Sequence, residues 1–199
     1  MKKTAVILFP EFCNYEISVL LEILALNEKP VVFLSSKVEP YRCEEGMKAV
    51  ADFDMNSINI DEFDSLVITG SYANGLYYNF ADEKLLNLIR IFNKENKLIA
   101  AISSGPMLLC KAGVTEGKKI VAGVEKEWFL NDPKMKLTEQ QMETLIDVND
   151  LEKMKKNGAS LPNYLLNGNI LTACGWKFRE WAVAFGEYFG LSCYLDSFG

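Results

Sequence analysis

The residues of this chain best suited to covalent chemistry lie in the segment A-I-S-S-G, residues 101–105, between a predicted strand and a predicted helix. Small residues at its first and fifth positions are what a nucleophile elbow needs, because larger side chains would collide with the strand and helix backbones. Such a turn exposes its central residue, here Ser103, above the sheet and directs a helix N-terminus toward it. The free amides and positive partial charge of that terminus favour an anion or an oxyanion.

The composition restricts what Ser103 can do. The chain contains no histidine, so neither a Ser-His-Asp nor a Cys-His-Glu triad can be built within it. A serine of the α/β-hydrolase type is excluded on this ground alone. The motif A-x-S-x-G is frequent by chance, although its position directly after a buried apolar strand strengthens it. The alternative is a structural role, in which Ser103 caps the following helix.

Buried strands and amphipathic helices alternate along the chain and would position this segment. Apolar, β-branched runs predict strands over residues 4–9, 30–34, 66–69, 98–102 and 169–174. Apolar residues at helical spacing predict helices over residues 15–26, with Asn14 as a cap, and over 82–93, 105–112 and 177–189. The alternation predicts a parallel sheet covered by helices on both faces, in one domain spanning residues 1–199. Such sheets bind ligands beyond the carboxyl ends of their strands.

The connecting segments are less regular. Residues 37–53 are predicted to form a hairpin that turns at Gly46, and residues 120–121 a short strand. The polar stretch 123–158 favours helices over 139–146 and 150–156. The aromatic segment 71–79 is predicted to be a loop that overhangs the site, where Tyr72 would line a pocket. Packing of Tyr72 against a neighbouring loop or a second copy is the alternative, and Trp176 has the same two interpretations.

Charge and composition exclude several functional classes. Of the 199 residues, 49% are apolar and 24% charged, as in ordinary folded domains. The net charge of −6 argues against a nucleic-acid surface, which needs clustered lysine and arginine. Short charged runs are predicted to be solvated surface: Lys118-Lys119, Lys153 with Lys155-Lys156, Glu44-Glu45 and Glu125-Lys126-Glu127.

The five cysteines have no metal-ligand spacing, and their number is odd. The apolar run that follows the first four residues is too short for a signal peptide, and none approaches the roughly 18 residues of a membrane span. We therefore expect free thiols in a reducing cytoplasm, no membrane association, and neither metal nor cofactor. Cys110 is predicted to be a buried hydrophobe. Cys13, in the loop before the first helix, is the better candidate for reactivity.

Several segments resemble the ThiJ/PfpI family, in the class I glutamine-amidotransferase-like superfamily. I-A-A-I-S-S-G-P-M-L-L is similar to the family's A-I-C-x-G-P elbow, and L-V-I-T-G-S to its strand ending in a glycine pair. G-N-I-L-T-A-C-G-W-K-F-R-E-W-A is similar to its late strand, turn and closing helix. The resemblance covers residues 4–123 and 167–190. It implies a flavodoxin-like three-layer α/β sandwich with a mostly parallel sheet, and a homodimer.

The resemblance also implies roles for particular residues. The family's reactive cysteine falls on Ser103, and the acid that hydrogen-bonds to its thiolate falls on Glu16. The family's histidine falls near Gly123 and is missing. A serine hydroxyl is a weak nucleophile unless an adjacent base takes its proton. Glu16 would be that base if ionised, or a general acid if burial raises its pKa.

The oxyanion-binding amides of the family fall on Ser71 and Ser104, each beside a glycine, Gly70 and Gly105. Two classes of function follow from this set. In the first, the site binds a small metabolite or anion with little or no turnover, because both thiol and histidine are absent. In the second, Ser103 and Glu16 act on a small carbonyl, acyl or amide substrate, in hydrolase, amidase or glyoxalase-like chemistry. A nucleotide-binding flavodoxin-like protein is less favoured, since no glycine-rich phosphate loop follows the first strand.

Overall fold

A computed structural model describes residues 1–193 of the chain. Its strands are β1 (Lys3–Ile7), β2 (Val31–Ser35), β3 (Pro40–Arg42), β4 (Lys48–Val50), β5 (Phe53–Asp54), β6 (Phe63–Ile68), β7 (Leu98–Ile102), β8 (Ile120–Val121), β9 (Leu145–Ile146), β10 (Leu165–Asn167) and β11 (Ile170–Ala173). Its α-helices are α1 (Tyr15–Leu26), α2 (Ala73–Phe80), α3 (Glu83–Lys94), α4 (Pro106–Ala112), α5 (Lys126–Asn131), α6 (Val148–Lys156) and α7 (Phe178–Tyr188).

Seven strands form the central sheet, in the order β10-β11-β7-β6-β1-β2-β5. All neighbouring pairs are parallel except β10 with β11, which form an antiparallel edge. Every residue of β7 is buried, as is every residue of β1 after its first. Both strands read as continuous apolar runs because helices cover both faces of the sheet. The mostly parallel flavodoxin-like sandwich predicted from the sequence is confirmed.

The two faces of the sheet carry separate cores. On one face α1 packs against α7, with Ile17, Leu20 and Trp181 fully buried between them and the sheet. The larger core on the other face lies under α2, α3 and α4 and includes Phe92 and Phe129. The hydrophobic contacts on each side fix the sheet, and with it the positions at which the strands end.

Three central strands end at the same edge of the sheet. The loop after β1 leads to Glu16 in the first turn of α1, β6 leads to Gly70, and β7 leads to Ser103. Since β6 lies between β1 and β7, these residues meet above the middle of the sheet. This is the edge at which parallel α/β sheets bind their ligands.

The segment 71–79, predicted as a loop, contains helix α2, so that prediction is wrong. The carboxylate of Glu11, in the loop after β1, accepts hydrogen bonds from the Gly75 amide at 3.2 Å and from the Asn74 side chain at 3.0 Å. Only glycine allows α2 to come this close to the loop after β1, because a methyl group on Gly75 would lie 2.3 Å from the Pro10 carbonyl oxygen. A partner 64 residues away therefore holds the first turn of this helix.

The helix predicted over residues 139–146 is also wrong. Gln140–Met142 form a single 3₁₀ turn, and Leu145–Ile146 form β9, which pairs in parallel with β8 in a small second sheet. Helix α6, predicted over 150–156, begins two residues earlier, where Asp147 and Asp150 form a capping box. Helix α5 and the short strands β5 and β10 were not predicted from the sequence.

The predicted hairpin is confirmed as β3 and β4, with Gly46 in the turn at φ +95°. Glu44 is half-buried rather than fully solvated, whereas Glu45 is exposed, as the sequence predicted. The Glu45 carboxylate accepts hydrogen bonds from the amides of Asn14 (3.2 Å) and Tyr15 (2.8 Å), at the N-terminus of α1. Asn14 makes no capping hydrogen bond with its side chain. The hairpin, rather than Asn14, therefore supplies the acceptor for this helix end.

Candidate functional site

The elbow after β7 is a tightly bent turn. Ser103 has a φ of +63°, in the left-handed region that residues with a side chain seldom adopt. A methyl group on Gly105 would lie 2.8–2.9 Å from the carbonyl oxygens of Ile68, Thr69 and Ile102. Only glycine fits there, which is the reason that the sequence motif needs a small fifth residue. Residues held in such a conformation are concentrated at functional sites.

Backbone hydrogen bonds hold Ser103 on both sides. Its amide donates to the Ala173 carbonyl, at the end of β11, and its carbonyl accepts from the Gly123 amide, both at 2.9 Å. The side chain is half-buried and faces a cavity. Strand β11 and the segment after β8 thus fix the strained backbone and leave the hydroxyl accessible.

Glu16 lies directly beneath this serine. Its side chain is buried, and Oε2 accepts a hydrogen bond from the Gly70 amide at 2.7 Å. Burial raises the pKa of the Glu16 carboxyl to about 7, against the opposing effect of hydrogen bonds from the Gly70 amide and the Ser103 hydroxyl. The carboxyl is therefore divided between its neutral and ionised forms near neutral pH, and it can both accept and donate a proton.

Gly175, which the sequence did not single out by residue, permits this contact. A methyl group on Gly175 would lie 2.8 Å from Glu16 Oε1 and 3.2 Å from both Ser103 Oγ and Tyr15 Oη. Three polar side chains therefore converge on the bare backbone that follows β11. A glycine after a predicted strand is the signal by which this position could have been found.

The two predicted oxyanion amides differ in what they offer a ligand. The Ser71 amide donates to Ser104 Oγ at 3.1 Å, and the same hydroxyl donates back to the Ser71 carbonyl at 3.4 Å. The Ser104 amide has no acceptor among residues 1–193. One amide is thus occupied by a neighbouring side chain and the other is unoccupied.

A cavity of about 490 Å³ lies above these groups. Its lining combines the elbow with residues from α1, the β3–β4 hairpin, α2 and α5: Cys13, Tyr15, Glu16, Glu44, Ser71, Tyr72, Ala73, Leu76, Ser103, Ser104, Gly123, Val124, Glu125 and Trp128. The structure therefore brings Glu16, Ser71, Ser103 and Ser104 together at one site. Gly70, which packs against Ser103, and Gly105, the last residue of the elbow, lie beneath it.

The secondary candidates occupy different places. Tyr72 lines the cavity and is 63% exposed. Cys13 also lines it, but burial and the nearby carboxylates raise the pKa of its thiol, which disfavours the reactive thiolate. Trp176 is exposed and lies outside the lining, beside Gly123. Cys110 is fully buried, as predicted, and burial raises the pKa of its thiol to about 11.

Seven lining residues were not predicted as site residues: Tyr15, Glu44, Ala73, Leu76, Val124, Glu125 and Trp128. The two glutamates belong to charged runs that were predicted to be solvated surface. Helix α5, which carries Trp128, was not predicted, and no local pattern placed either segment beside the elbow. Among residues 1–193, no group of three or more Cys, Asp or Glu side chains is arranged to hold a metal ion. Within the same residues, no helix is both long and apolar enough to cross a membrane.

Comparison with known sequences identifies relatives of the chain. A model described as the DJ-1/PfpI family matches residues 2–186. An uncharacterized protein of Methanocaldococcus jannaschii, MJ0967, is 26% identical over 143 residues, which are 71% of this chain and 57% of that protein. Deglycase PfpI of Pyrococcus furiosus is 34% identical over 76 residues, 38% of this chain and 45% of the enzyme. The glutathione-independent glyoxalase DJR-1.2 of Caenorhabditis elegans is 28% identical over 116 residues, 57% of this chain and 61% of that protein. The matched segments span about half the length of these relatives.

Solved structures share the fold. The DJ-1 superfamily protein Atu0886 of Agrobacterium tumefaciens superposes with a TM-score of 0.76 at 19% identity, covering 100% of this chain and 97% of that one. Drosophila melanogaster DJ-1beta superposes with a TM-score of 0.74 at 21% identity, covering 98% and 94%. At these identities the likeness concerns the fold alone, and it extends over nearly the whole of each chain.

Proposed function

The chain belongs to the DJ-1/PfpI family, and on that premise we propose that the cavity above Ser103 binds a small metabolite with little or no turnover. Its volume of about 490 Å³ is suited to a small ligand. The floor offers the Ser103 hydroxyl, the unoccupied Ser104 amide and the Glu16 carboxyl. These groups would orient a polar ligand without requiring that it react.

The hydrogen bond from the Ser71 amide to Ser104 Oγ, at 3.1 Å, is the observation that carries this proposal. An oxyanion site works through donors that are free and aimed at the developing charge. Here one of the two expected donors is satisfied by a side chain that the turn itself supplies. Loss of one such donor typically lowers turnover by about 10² to 10³.

The nucleophile is also poorly activated. The resemblance assigns the family's cysteine to Ser103, whose hydroxyl needs a base to become reactive. The chain contains no histidine, and the Glu16 carboxyl is held by the Gly70 amide and only partly ionised near pH 7. Both features support binding over catalysis.

A second candidate is an enzyme that uses Ser103 with Glu16 on a small carbonyl, acyl or amide substrate. The Glu16 carboxyl and the Ser103 hydroxyl both face Gly175, and this proximity favours it, as do relatives that are named a deglycase and a glyoxalase. In this reaction Ser103 Oγ forms a bond to the carbonyl carbon while its proton passes to the Glu16 carboxylate. The carbonyl oxygen gains the negative charge and accepts a hydrogen bond from the Ser104 amide.

Turnover measurements separate the two candidates. The panel consists of methylglyoxal, activated acyl esters and simple amides, tested with the unaltered protein and with Ser103→Ala. Binding of the same compounds is followed by calorimetry. We expect binding to both proteins and no turnover above the uncatalysed rate.

The opposite result is equally clear. Turnover by the unaltered protein that is lost in Ser103→Ala would establish the serine-dependent enzyme and overturn the binding proposal. If neither protein binds or converts any compound, we extend the binding assay to a library of metabolites. No ligand from that library would refute the assignment of the cavity as a binding site.

We also propose that the protein works as a homodimer in the cytoplasm. The cysteines of residues 1–193 are all free, which fits a reducing compartment. Exposed aromatic side chains near the cavity, such as Trp176 and Tyr72, offer apolar surface to a second copy. Sedimentation velocity tests the dimer, and a monomer at micromolar concentration would contradict it.

A further inference from the structure

The cavity is lined by carboxyl groups and by aromatic rings, and both kinds of side chain favour the same class of ligand. Three carboxyl groups line it, those of Glu16, Glu44 and Glu125. Three aromatic rings line it as well: Tyr15, Tyr72 and Trp128. Among the described residues that line it, none is a lysine or an arginine. The chemistry shared by these walls is attraction to positive charge.

The carboxyl groups of the cavity have no cationic partner. None of the three belongs to an ion pair among residues 1–193, although acidic residues elsewhere are paired, as Asp64 is with Lys29. Arg42, which lies on the same hairpin as Glu44, donates instead to the Gly46 carbonyl at 2.7 Å. Glu44 is half-buried, and burial raises its pKa. Unpaired acidic groups held together in a concave site would be stabilised by a bound cation.

The aromatic rings are accessible from the same space. Tyr72 is 63% exposed, Tyr15 44% and Trp128 38%. The face of such a ring attracts ammonium and guanidinium groups within about 6 Å of its centre. Other rings of this molecule already do so: Lys29 lies over Phe189 at 4.3 Å and Lys134 over Tyr77 at 4.5 Å. The rings of the cavity would provide the same contact to a ligand.

From this juxtaposition we propose that the ligand of the cavity is a small organic cation, an alkylammonium compound whose charged group lies between the aromatic rings and the unpaired glutamates. The inference rests on the proposed function and specifies the class of ligand. It disfavours an anionic ligand, one of the alternatives that the sequence left open, because the carboxylates of Glu44 and Glu125 would repel it. Aromatic rings favour an organic ammonium group over a bare metal ion, which would need several oxygen ligands arranged around it.

Three probes of matched size test the charge preference by calorimetry. Choline carries the permanent positive charge, 3,3-dimethylbutan-1-ol has the same shape without charge, and 3,3-dimethylbutanoate carries a negative charge. We expect choline to bind at least about ten-fold more tightly than the neutral alcohol and the carboxylate to bind least. Fluorescence of Trp128, read as the difference between the unaltered protein and Trp128→Leu, reports whether each probe enters this cavity.

Substitutions then locate the effect. Glu44→Gln with Glu125→Gln removes two of the carboxylates, and we expect it to weaken choline about ten-fold while leaving the neutral alcohol unchanged. The matched control is Glu22→Gln with Glu127→Gln, which changes the net charge equally at two exposed positions outside the lining. That control should bind choline as the unaltered protein does.

Each outcome bears on one claim. If the alcohol or the carboxylate binds as tightly as choline, with the same change in Trp128 fluorescence, the charge preference is refuted and the cavity remains a binding site. Equal weakening of choline by the control pair refutes the assignment to Glu44 and Glu125. If no probe binds, the organic-cation inference fails, and the proposed function is judged by the metabolite library alone.

Discussion

Glu16 contributes a buried carboxyl group to the floor of the cavity, and its surroundings decide the pH at which it ionises. Burial opposes the charged form, whereas the Gly70 amide and the Ser103 hydroxyl stabilise it. Burial has the larger effect, and the resulting pKa of about 7 lies well above the ordinary value of 4.5. The folded protein therefore retains a proton on this group over a range in which the unfolded chain releases it.

This difference gives a pH-dependent stability that we expect Glu16→Gln to remove. Because the folded pKa is raised, the folded state binds more protons between pH 4.5 and 7, and the contribution of Glu16 to stability falls as the pH rises through that range. From pH 5 to pH 8, the free energy of unfolding of the unaltered protein should fall by about 2 to 3 kcal/mol relative to Glu16→Gln. Urea denaturation of both proteins at the two pH values measures it. A constant difference between the two proteins would show that Glu16 ionises at its ordinary pKa.

Ser103 is the accessible residue of the elbow, so a thiol placed there should be the most reactive in the protein. The native Cys13, Cys43, Cys110 and Cys174 are buried, and burial raises the pKa of Cys174 to about 12. We expect iodoacetamide to alkylate the thiol introduced by Ser103→Cys at least about ten-fold faster than any of these four. Peptide mass spectrometry over a time course, with the unaltered protein as control, gives the rates. Equal rates would mean that the elbow is closed to small reagents.

At this scale the sequence predicted the floor of the site but only Tyr72 and Cys13 of its walls. Ser103 could be identified from its strand-turn-helix motif, and Glu16 from the resemblance to the family, which has an acid at the start of this helix. Glu44 and Glu125 belong to short charged runs, and nothing in these runs indicates that they lie beside the elbow. They come beside the elbow only through the packing of the hairpin and α5, which sequence spacing does not encode.

The elbow between β7 and α4 depends on a glycine whose space is enclosed by backbone. Gly105→Ala would bring a methyl group within 2.9 Å of three carbonyl oxygens, none of which can rotate away. We expect it to lower the free energy of unfolding by about 1 to 3 kcal/mol. Gly123→Ala is the control, because its nearest atom is a Trp176 ring carbon at 3.4 Å. Denaturation curves of both variants make the comparison, and equal stability of the two would show that the elbow relaxes around the added methyl.

Elements with strong internal patterns were predicted within a residue or two, except that β6 begins three residues before the predicted Leu66. Elements held by distant partners were not predicted. Strand β7 and helix α1 have the predicted bounds, since a continuous apolar run and an apolar face mark them. Helix α2 was mistaken for a loop because the Glu11 carboxylate, remote in sequence, satisfies its first turn. Leu145–Ile146 were assigned to a helix because two apolar residues in a polar context carry no period, and the pairing with β8 decides their conformation.

In the molecule as a whole, a buried ion pair and the candidate site lie at opposite ends of the sheet. At the amino ends of the strands, the buried Lys29 ammonium donates to both carboxylate oxygens of Asp64, at 2.7 and 2.9 Å, and to the Lys2 carbonyl at 2.9 Å. The cavity lies beyond the carboxyl ends. The sequence predicted this polarity of the sheet, but it could not identify an ion pair whose members are 35 residues apart.

This separation predicts that Lys29 can be altered at a cost in stability alone. Lys29→Met leaves Asp64 without its partner, and we expect a loss of about 3 kcal/mol in the free energy of unfolding. Lys84→Met, which removes an exposed pair with Asp54, should cost less than about 1 kcal/mol. Both variants should bind ligands of the cavity with unchanged affinity at temperatures where they are folded. Weaker binding by folded Lys29→Met would show that the two ends of the sheet are coupled.

The hairpin of β3 and β4 separates two tasks between two adjacent residues, Glu44 and Glu45. One of its two adjacent glutamates faces the cavity, while the other accepts the amides at the start of α1. Neither Glu44 nor Glu45 belongs to the central sheet. A substitution of Glu44 therefore changes the charge on the cavity wall without touching the hydrophobic cores on the faces of that sheet. Glu45 holds the hairpin against α1 through hydrogen bonds that do not involve residue 44. Replacement of Glu44 would therefore change the charge of the cavity wall while the contact of Glu45 with α1 keeps the hairpin in place.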